Sequence, residues 1–311
     1  MATHLMPYTF SALGGPDIGS DFRADHHAST NLAWAGYAPY AEPAARSIKV
    51  QGLGRTLDVG IASERSDLES AYQMLAANYQ ARGYEAPSTK LLRYTPYHVL
   101  PDTITVVAKD RGRVVATLSL VPDTTLLGLP MECTYGEEID KLRRRGHHMA
   151  EATSLADRDL SCREFILVFK TFIKLVMQYH VGRGGNSWVI TVNPRHRSFY
   201  LKVLGFVPLG PRRSYPAVQD HPAEAFLLDA DLMKARAPQM HEFVFGDPLP
   251  RSLLTPPTWS AEQVAYFGSH STQADRRTIR DIGLWVKHFG SLPRWLEPSV
   301  SEHGRVEACG S

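Results

Sequence analysis

The stretch Ser187–Phe206, SWVITVNPRHRSFYLKVLGF, decides how the rest of the chain is read. Trp188–Val192 is a short, β-branched, apolar run, the composition of a strand buried on both faces. Asn193-Pro194 interrupts it, and Pro is well tolerated at the first position of a helix. Phe199, Val203 and Leu204 recur at helical spacing, Gly205 supplies a C-cap, and Phe206-Val207 opens a further strand. The predicted unit is strand, Asn-Pro, helix, Gly-Phe, strand. Any α/β domain can hold one such unit, so the fold turns on what surrounds it.

Immediately upstream, Ser161-Cys162-Arg163-Glu164 has the spacing of a capping box. The helix it opens carries Phe165, Val168, Phe169, Phe172, Ile173 and Val176 on one broad apolar face, with Lys170, Lys174 and Gln178 marking a wet stripe. His147–Ala156 reads as a strand with Met149, Glu151, Thr153 and Leu155 on one face and Ala150, Ala152 and Ser154 on the other. Before it, Glu137–Arg145 reads as a short polar helix. Thr103–Lys109 and Val114–Val121, joined by Asp110-Arg111-Gly112-Arg113, predict a β-hairpin. Regular structure is expected to begin near Thr56 with the strand TLDVGIA. A helix follows from the capping box Ser66-Asp67-Leu68-Glu69, its face lined by Leu68, Tyr72, Leu75, Ala76 and Tyr79 until Gly83. Downstream, Ala225–Leu228 is the last expected strand.

Three regions emerge. Residues 1–47, rich in Ala, Gly, Pro and Ser, form a disordered or loosely docked leader. Residues 48–235 form the folded domain. Residues 236–311 are a Pro-rich linker (Pro238, Pro248, Pro250, Pro256, Pro257) and a helical extension, with helices expected from Ser260 and from Thr272 to Phe289. Trp285, Phe289 and Trp295 imply that this extension packs on something. The chain of 311 residues is 43% apolar and 21% charged, ordinary for a globular protein. A net charge of +2 gives no argument for nucleic acid. Cys133, Cys162 and Cys309 have no metal-ligand or CxxC spacing, so reduced thiols, no metal and a cytoplasmic location are expected. No signal peptide is legible, and Lys170 and Lys174 interrupt the most apolar segment, which argues against a membrane span.

The element order resembles the GNAT acyltransferase fold, a mixed α/β architecture with a splayed central mixed sheet flanked by helices. In that fold the pantetheine arm lies between two splayed strands, here His147–Ala156 and Trp188–Val192, and exposed backbone N–H groups stabilise the thioester oxyanion. The resemblance places Thr153, Leu155, Ala156 and Asn193 along the acyl-pantetheine cleft. Glu151, a carboxylate in a strand of small residues, is the candidate general base, since burial would raise its pKa toward a working value. The same position would suit a structural carboxylate paired with a buried arginine. Tyr200 is the candidate acid toward the departing thiolate. Counting forward from Asn193 puts Tyr200 in that slot, whereas counting back from Gly205 puts Leu201 there, a swing of about 100° on a helix.

GNAT enzymes that use acetyl-CoA cradle its pyrophosphate on a Gly-rich loop before the helix. Here that link is Ala156-Asp157-Arg158-Asp159-Leu160-Ser161, with no glycine and two acidic residues. A donor with a single phosphodiester, an acyl group on a carrier protein, is expected instead. Arg158 and Arg163 are the candidate phosphate contacts. Arg143, Arg144, Arg145, Arg195, Arg197, Arg212 and Arg213 are candidate basic surface for an acidic carrier, or simply solvated charge.

The runs Tyr135–Ala156, Asn193–Val218 and Ala225–Asp229 resemble the FeeM-like long-chain N-acyl amino acid synthases, relatives of the acyl-homoserine lactone synthases, and the similarity covers about residues 55 to 232. What the resemblance implies is transfer of a long acyl chain from acyl carrier protein to the α-amine of an amino acid, with acyl-phosphopantetheine as co-substrate and no other cofactor. Aromatic amino acids such as tyrosine are the first acceptors to test. An acyl-CoA-dependent N-acyltransferase and a non-catalytic module binding an acylated carrier are the alternatives.

Overall fold

The computed structural model describes residues 46–52, 54–85, 92–271, 279–284, 286 and 294. The expectations for residues 1–45, Trp285, Phe289, Trp295 and Cys309 therefore lie outside the described residues. Among the described residues nine strands form one sheet in the order β1-β2-β3-β4-β5-β6-β9-β7, with β8 on β9. They are β1 (Ile48–Gln51), β2 (Thr56–Ile61), β3 (Ile104–Asp110), β4 (Arg113–Pro122), β5 (Met149–Asp157), β6 (Ser187–Val192), β7 (Val207–Pro208), β8 (Arg213–Tyr215) and β9 (His221–Asp229). Every neighbouring pair is antiparallel except β5 and β6. This is the mixed α/β, GNAT-type sheet that the strand order implied. The four-residue β1, which pairs with β2, begins before the expected first strand.

One face of the sheet is covered by α3 (Cys162–Gly182), α5 (Ala230–Arg236) and α6 (Pro238–Phe245). Phe169, Phe172, Ile173 and Val176 of α3 are buried there against Val106, Leu118, Trp188 and Phe226. The opposite face carries α1 (Arg65–Ala81) and α7 (Ala261–Ser269), where Tyr72, Leu75 and Phe267 pack on Val107 and Val114. A third cluster joins α2 (Glu132–Arg144) to Met149, Val189 and Ala225 through Tyr135, Ile139 and Leu142. α3 has the length and apolarity of a membrane span, but 67% of its most apolar window is buried inside the protein, which makes it a core helix.

Three local expectations are corrected. The capping box at Ser66 does not form: α1 starts at Arg65, two residues before the start that the box implied, and Glu64 at its N-cap makes no side-chain cap bond. Asp67 instead accepts the Ser63 N–H and pairs with Lys109 of β3. α2 begins at Glu132, five residues before the expected start. Lys174 and Gln178 are not a wet stripe; both are buried, because α6 and the turn after it cover that side of α3. Residues 238–254 accordingly pack on the domain, with Met240, Val244 and Leu253 inside its main core. The tail helix from Ser260 forms with its own Ser260–Gln263 capping box, and Ile279 and Ile282 pack beside it.

Candidate active site

β5 and β6 pair in parallel only at Met149–Ser187, Ala150–Trp188 and Glu151–Val189. Beyond that point the strands part, so their facing edges have no ladder partner across the gap. A bulge in the β4–β5 register between Thr117 and Ser119 bends β5 there, and Ser154 sits at φ 58°, a conformation that costs a non-glycine residue energy. The gap is a cavity of about 230 Å³. Phe165, Phe169, Ile173 and Phe206 line it from the α3 side, Tyr79 from the α1 side with Tyr84 and His221 in ring contact in series beside it, and Tyr215 also lines it.

Glu151, Thr153, Leu155, Ala156, Asn193 and Tyr200 all line this cavity. Glu151 lies at its closed end, 2% exposed, and its Oε2 accepts the N–H of Met131 at 2.8 Å. Burial pushes its carboxyl up to about 8; the Met131 N–H works against this and the charge of Glu132 adds to it. Among the described residues no arginine pairs with it, so the structural reading of a carboxylate matched to a core arginine does not apply there.

Tyr200 resolves the register problem in the Asn193–Gly205 segment. After the turn Pro194–His196, α4 runs as an α-turn over Arg197–Phe199 and as a π-helix over Tyr200–Leu204. Gly205, at φ 82°, caps it with its N–H on Tyr200 O, and Phe206 N–H donates to the same carbonyl at 3.2 Å. A π-turn holds one residue more than an α-turn, so the counts from Asn193 and from Gly205 both hold, and such turns often mark functional sites. Tyr200 faces the cavity, while Leu201 packs against the core. The Tyr200 ring stands edge-on to Phe199, Phe206 and Phe169, with centroids 5.4, 5.9 and 6.4 Å away, and burial pushes its hydroxyl up to about 12.

The arginines expected at a phosphate or carrier surface are distributed differently. Arg143 points inward, its Nε and Nη2 on Asp123 at 2.8 and 2.7 Å and its Nη1 on Glu132, clamping α2 to the end of β4. Arg197 and Arg212 both pair with buried Glu224, and Arg213 pairs with Glu138. Arg158 spends Nε and Nη2 on Val114 O. Arg143 is an internal tie, whereas Arg197, Arg212 and Arg213 are anchored to carboxylates with part of their side chains still at the surface, Arg212 most of all. Arg144, Arg145 and Arg163 are exposed and lie away from the cavity lining.

At the α3 N-terminus, Ser161 and Glu164 form the expected capping box. The Glu164 carboxylate accepts Ser161 N–H at 2.9 Å, Ser161 Oγ at 2.7 Å and Arg55 Nε at 2.8 Å. The Arg55 guanidinium, with the Ser161 bonds, holds this carboxyl down at about 2 despite the opposing effect of burial. Arg55 also donates to Asp159 O, fixing the glycine-free link.

Sequence reasoning passed over Arg82, Tyr84, Tyr215 and His221, which line the cavity. Arg82 lies just past the end of α1, where a basic residue ordinarily complements the helix dipole, and nothing local sets it apart. Arg195, expected only as basic surface for a carrier, lines the cavity as well, as does His196, for which the NPRH run was the available signal.

The model of the FeeM family, described as N-acyl amino acid synthase FeeM, matches residues 70–229, just over half of the chain. Among solved structures, the chain is similar to FeeM, an N-acyl amino acid synthase from uncultured soil microbes, at 22% identity and a TM-score of 0.51, covering 58% of this chain and 94% of that one. It is also similar to the AHL synthase LasI at 13% identity and a TM-score of 0.46, covering 66% and 98% of the two chains. No curated protein matches it. Likeness to the solved structures at these identities speaks to fold alone, and that fold is an acyltransferase fold. With the match across the domain that holds the cavity, the chain is an N-acyltransferase that belongs to the FeeM family of N-acyl amino acid synthases.

Proposed function

We propose that the protein transfers a long-chain acyl group from the phosphopantetheine arm of an acyl carrier protein to the α-amine of an amino acid, in the cytoplasm and with no metal or further cofactor. The observation that carries the donor assignment is the α3 N-terminus. In a CoA-dependent relative, free backbone N–H groups there would meet the diphosphate. Here the anionic Glu164 side chain accepts the Ser161 N–H and is held beside that terminus by Ser161 Oγ and Arg55. A diphosphate would meet a carboxylate, whereas a donor lacking the diphosphate makes no demand on that site.

The chemistry follows from the two sides of the cavity. The apolar side, walled by Phe165, Phe169, Ile173, Val176 and Ile190, accommodates the acyl chain. The acceptor amine approaches Glu151 from the side of Tyr79 and Tyr215. Glu151, ionising near pH 8, takes a proton from the ammonium. The neutral amine attacks the thioester carbon, and the unpaired edges of β5 and β6 supply N–H donors for the oxyanion. Collapse breaks the C–S bond; the nitrogen gives up its second proton and the thiolate is protonated. A phenol at about 12 is a weaker acid than a thiol near 8.5, so Tyr200 serves the departing sulfur as a hydrogen-bond donor and keeps its own proton.

The test is product detection by mass spectrometry with lauroyl or palmitoyl carrier protein, or the matching acyl-CoA, and all twenty amino acids together. An acyl amino acid formed from the carrier donor alone is expected and identifies the acceptor. Product from acyl-CoA alone overturns the donor assignment. No product from either favours a module that binds an acylated carrier without turning it over.

A further inference from the structure

Two guanidiniums lining the cavity have no hydrogen-bonded carboxylate partner among the described residues. Arg82, half-buried, donates Nη2 to Asn78 Oδ1 at 3.4 Å, and Arg195 donates Nε to His196 Nε2 at 2.9 Å. Among the described residues neither is in an ion pair, unlike Arg143, Arg197, Arg212 and Arg213. The charge of Asp157 relieves Arg82 only in part. Burial lowers the pKa of Arg82 and the charge of Arg195 lowers it further. Burial, with both guanidiniums, holds His196 down at about 4, so it is neutral and accepts from Arg195. Asp157, beneath Arg82, is the acidic side chain of this end of the cavity. Its backbone carbonyl accepts from Asn78, and its buried Oδ1 has no hydrogen-bond partner.

We propose that Arg82 and Arg195 bind the phosphodiester of the donor's phosphopantetheine arm as it enters the cavity; the assignment rests on the acyl-carrier reading above. Length and charge both favour this ligand. Asp157 lies six residue steps along β5 from Glu151, one of them absorbed by the bulge, a run of roughly 16 Å at about 3.3 Å per residue. An extended pantetheine arm spans a comparable distance between sulfur and phosphorus. The α-carboxylate of an acceptor lies two bonds from its reacting amine and cannot reach across that run. Two guanidiniums set against one carboxylate leave a single positive charge, which matches a phosphodiester monoanion and undercompensates a diphosphate.

The full-length protein is assayed with one acceptor and two donors of the same acyl chain, the thioester of 4′-phosphopantetheine and that of pantetheine, which lacks the phosphate. The wild type is expected to favour the phosphorylated donor by about tenfold or more in kcat/KM. Arg82→Gln combined with Arg195→Gln is expected to bring that ratio close to one, the loss falling on the KM of the phosphorylated donor. Arg82→Lys, which keeps the charge, is expected to restore part of it. Arg195 is exposed, so Arg195→Gln alone keeps the test sound if the double variant folds poorly. A donor ratio unchanged in the variants overturns the inference. So does an intact donor ratio accompanied by lost discrimination between the amino acid and its decarboxylated amine, which would assign the pair to the acceptor carboxylate. A wild type that makes product but ignores the phosphate rejects only this inference, whereas a wild type that makes no product from any thioester rejects the acyl-transfer reading beneath it.

Discussion

The amide of Met131 donates to Glu151 Oε2 at 2.8 Å, and this bond ties the start of α2 to the point where β5 and β6 separate. It is a single neutral donor on a buried carboxylate, too little to offset desolvation, and the group consequently titrates near 8. Glu151→Gln keeps an acceptor for the Met131 amide and removes the base. Acyl transfer should fall by about 100-fold or more. The wild-type rate should rise with pH to a plateau above about 8, and the residual rate of the variant should lack that limb. A variant turning over at the wild-type rate would remove Glu151 from the mechanism.

The same residue makes a stability prediction of opposite sign. Its pKa is raised on folding, so between about 4.5 and 8 the native protein holds a proton that the unfolded chain has released. Stability contributed by the protonated form is therefore lost as pH rises through that window. Glu151→Gln carries no such charge, and its melting temperature relative to wild type should climb by several °C between pH 5 and pH 9. Parallel melting curves across that range would show that Glu151 titrates normally.

Tyr200 is set by three aromatic rings and the π-turn, with no hydrogen bond from its hydroxyl among the described residues. Tyr200→Phe preserves all of that packing. A hydrogen bond to a charged group contributes about 1.5–3 kcal/mol, so kcat should drop by about 10- to 100-fold. The penalty should shrink with an acyl thioester of a more acidic thiol, whose departing sulfur needs less stabilisation. An equal penalty for both leaving groups would mean that the hydroxyl acts elsewhere.

The parts of this fold legible in sequence are those governed by local rules. The hairpin around Asp110–Arg113, the Ser161 capping box and the Asn193-Pro194 break each announce themselves within a few residues. Glu151 stood out because a carboxylate among small strand residues is rare. What escaped depends on partners far along the chain. Ser66 looks like an N-cap, but Lys109 and the Ser63 amide fix Asp67 so that the helix starts earlier. Arg143 looked like surface charge in a run of three arginines, and Asp123, twenty residues upstream, turns it inward. Arg82 acquires meaning only when α1 is laid against the open end of β5, which no periodicity reports.

The Arg55–Glu164 pair closes the α3 N-terminus across 109 residues of sequence. Glu164→Gln retains an oxygen for the Ser161 cap and removes the negative charge. Free CoA should inhibit this variant several-fold more strongly than the wild type, because a diphosphate would no longer face an anion. Unfolding provides a second measurement. The Glu164 carboxyl is held below its ordinary value, so its stabilisation is present above about 4.5 and is lost as pH falls toward about 2. The variant should therefore be less stable at pH 7, with the difference narrowing in acid. Equal CoA inhibition of the two proteins would leave the donor preference unexplained by this site.

Gln178 was expected to face water, and it is instead the anchor for the segment after α6. Its Nε2 donates to Val244 O and to Asp247 O at 3.1 Å, and its Oε1 accepts Leu249 N–H at 2.7 Å. Three backbone groups of residues 244–249 thus depend on one side chain that is 7% exposed. Gln178→Leu would fill the volume but leave those groups unpaired in a buried site, at about 1–3 kcal/mol for each that water cannot reach. Global stability should fall by about 3 kcal/mol or more in urea unfolding, and amide exchange should speed up first across 238–254. If that segment exchanged no faster in the variant, its attachment would rest on the apolar contacts of Met240, Val244 and Leu253 alone.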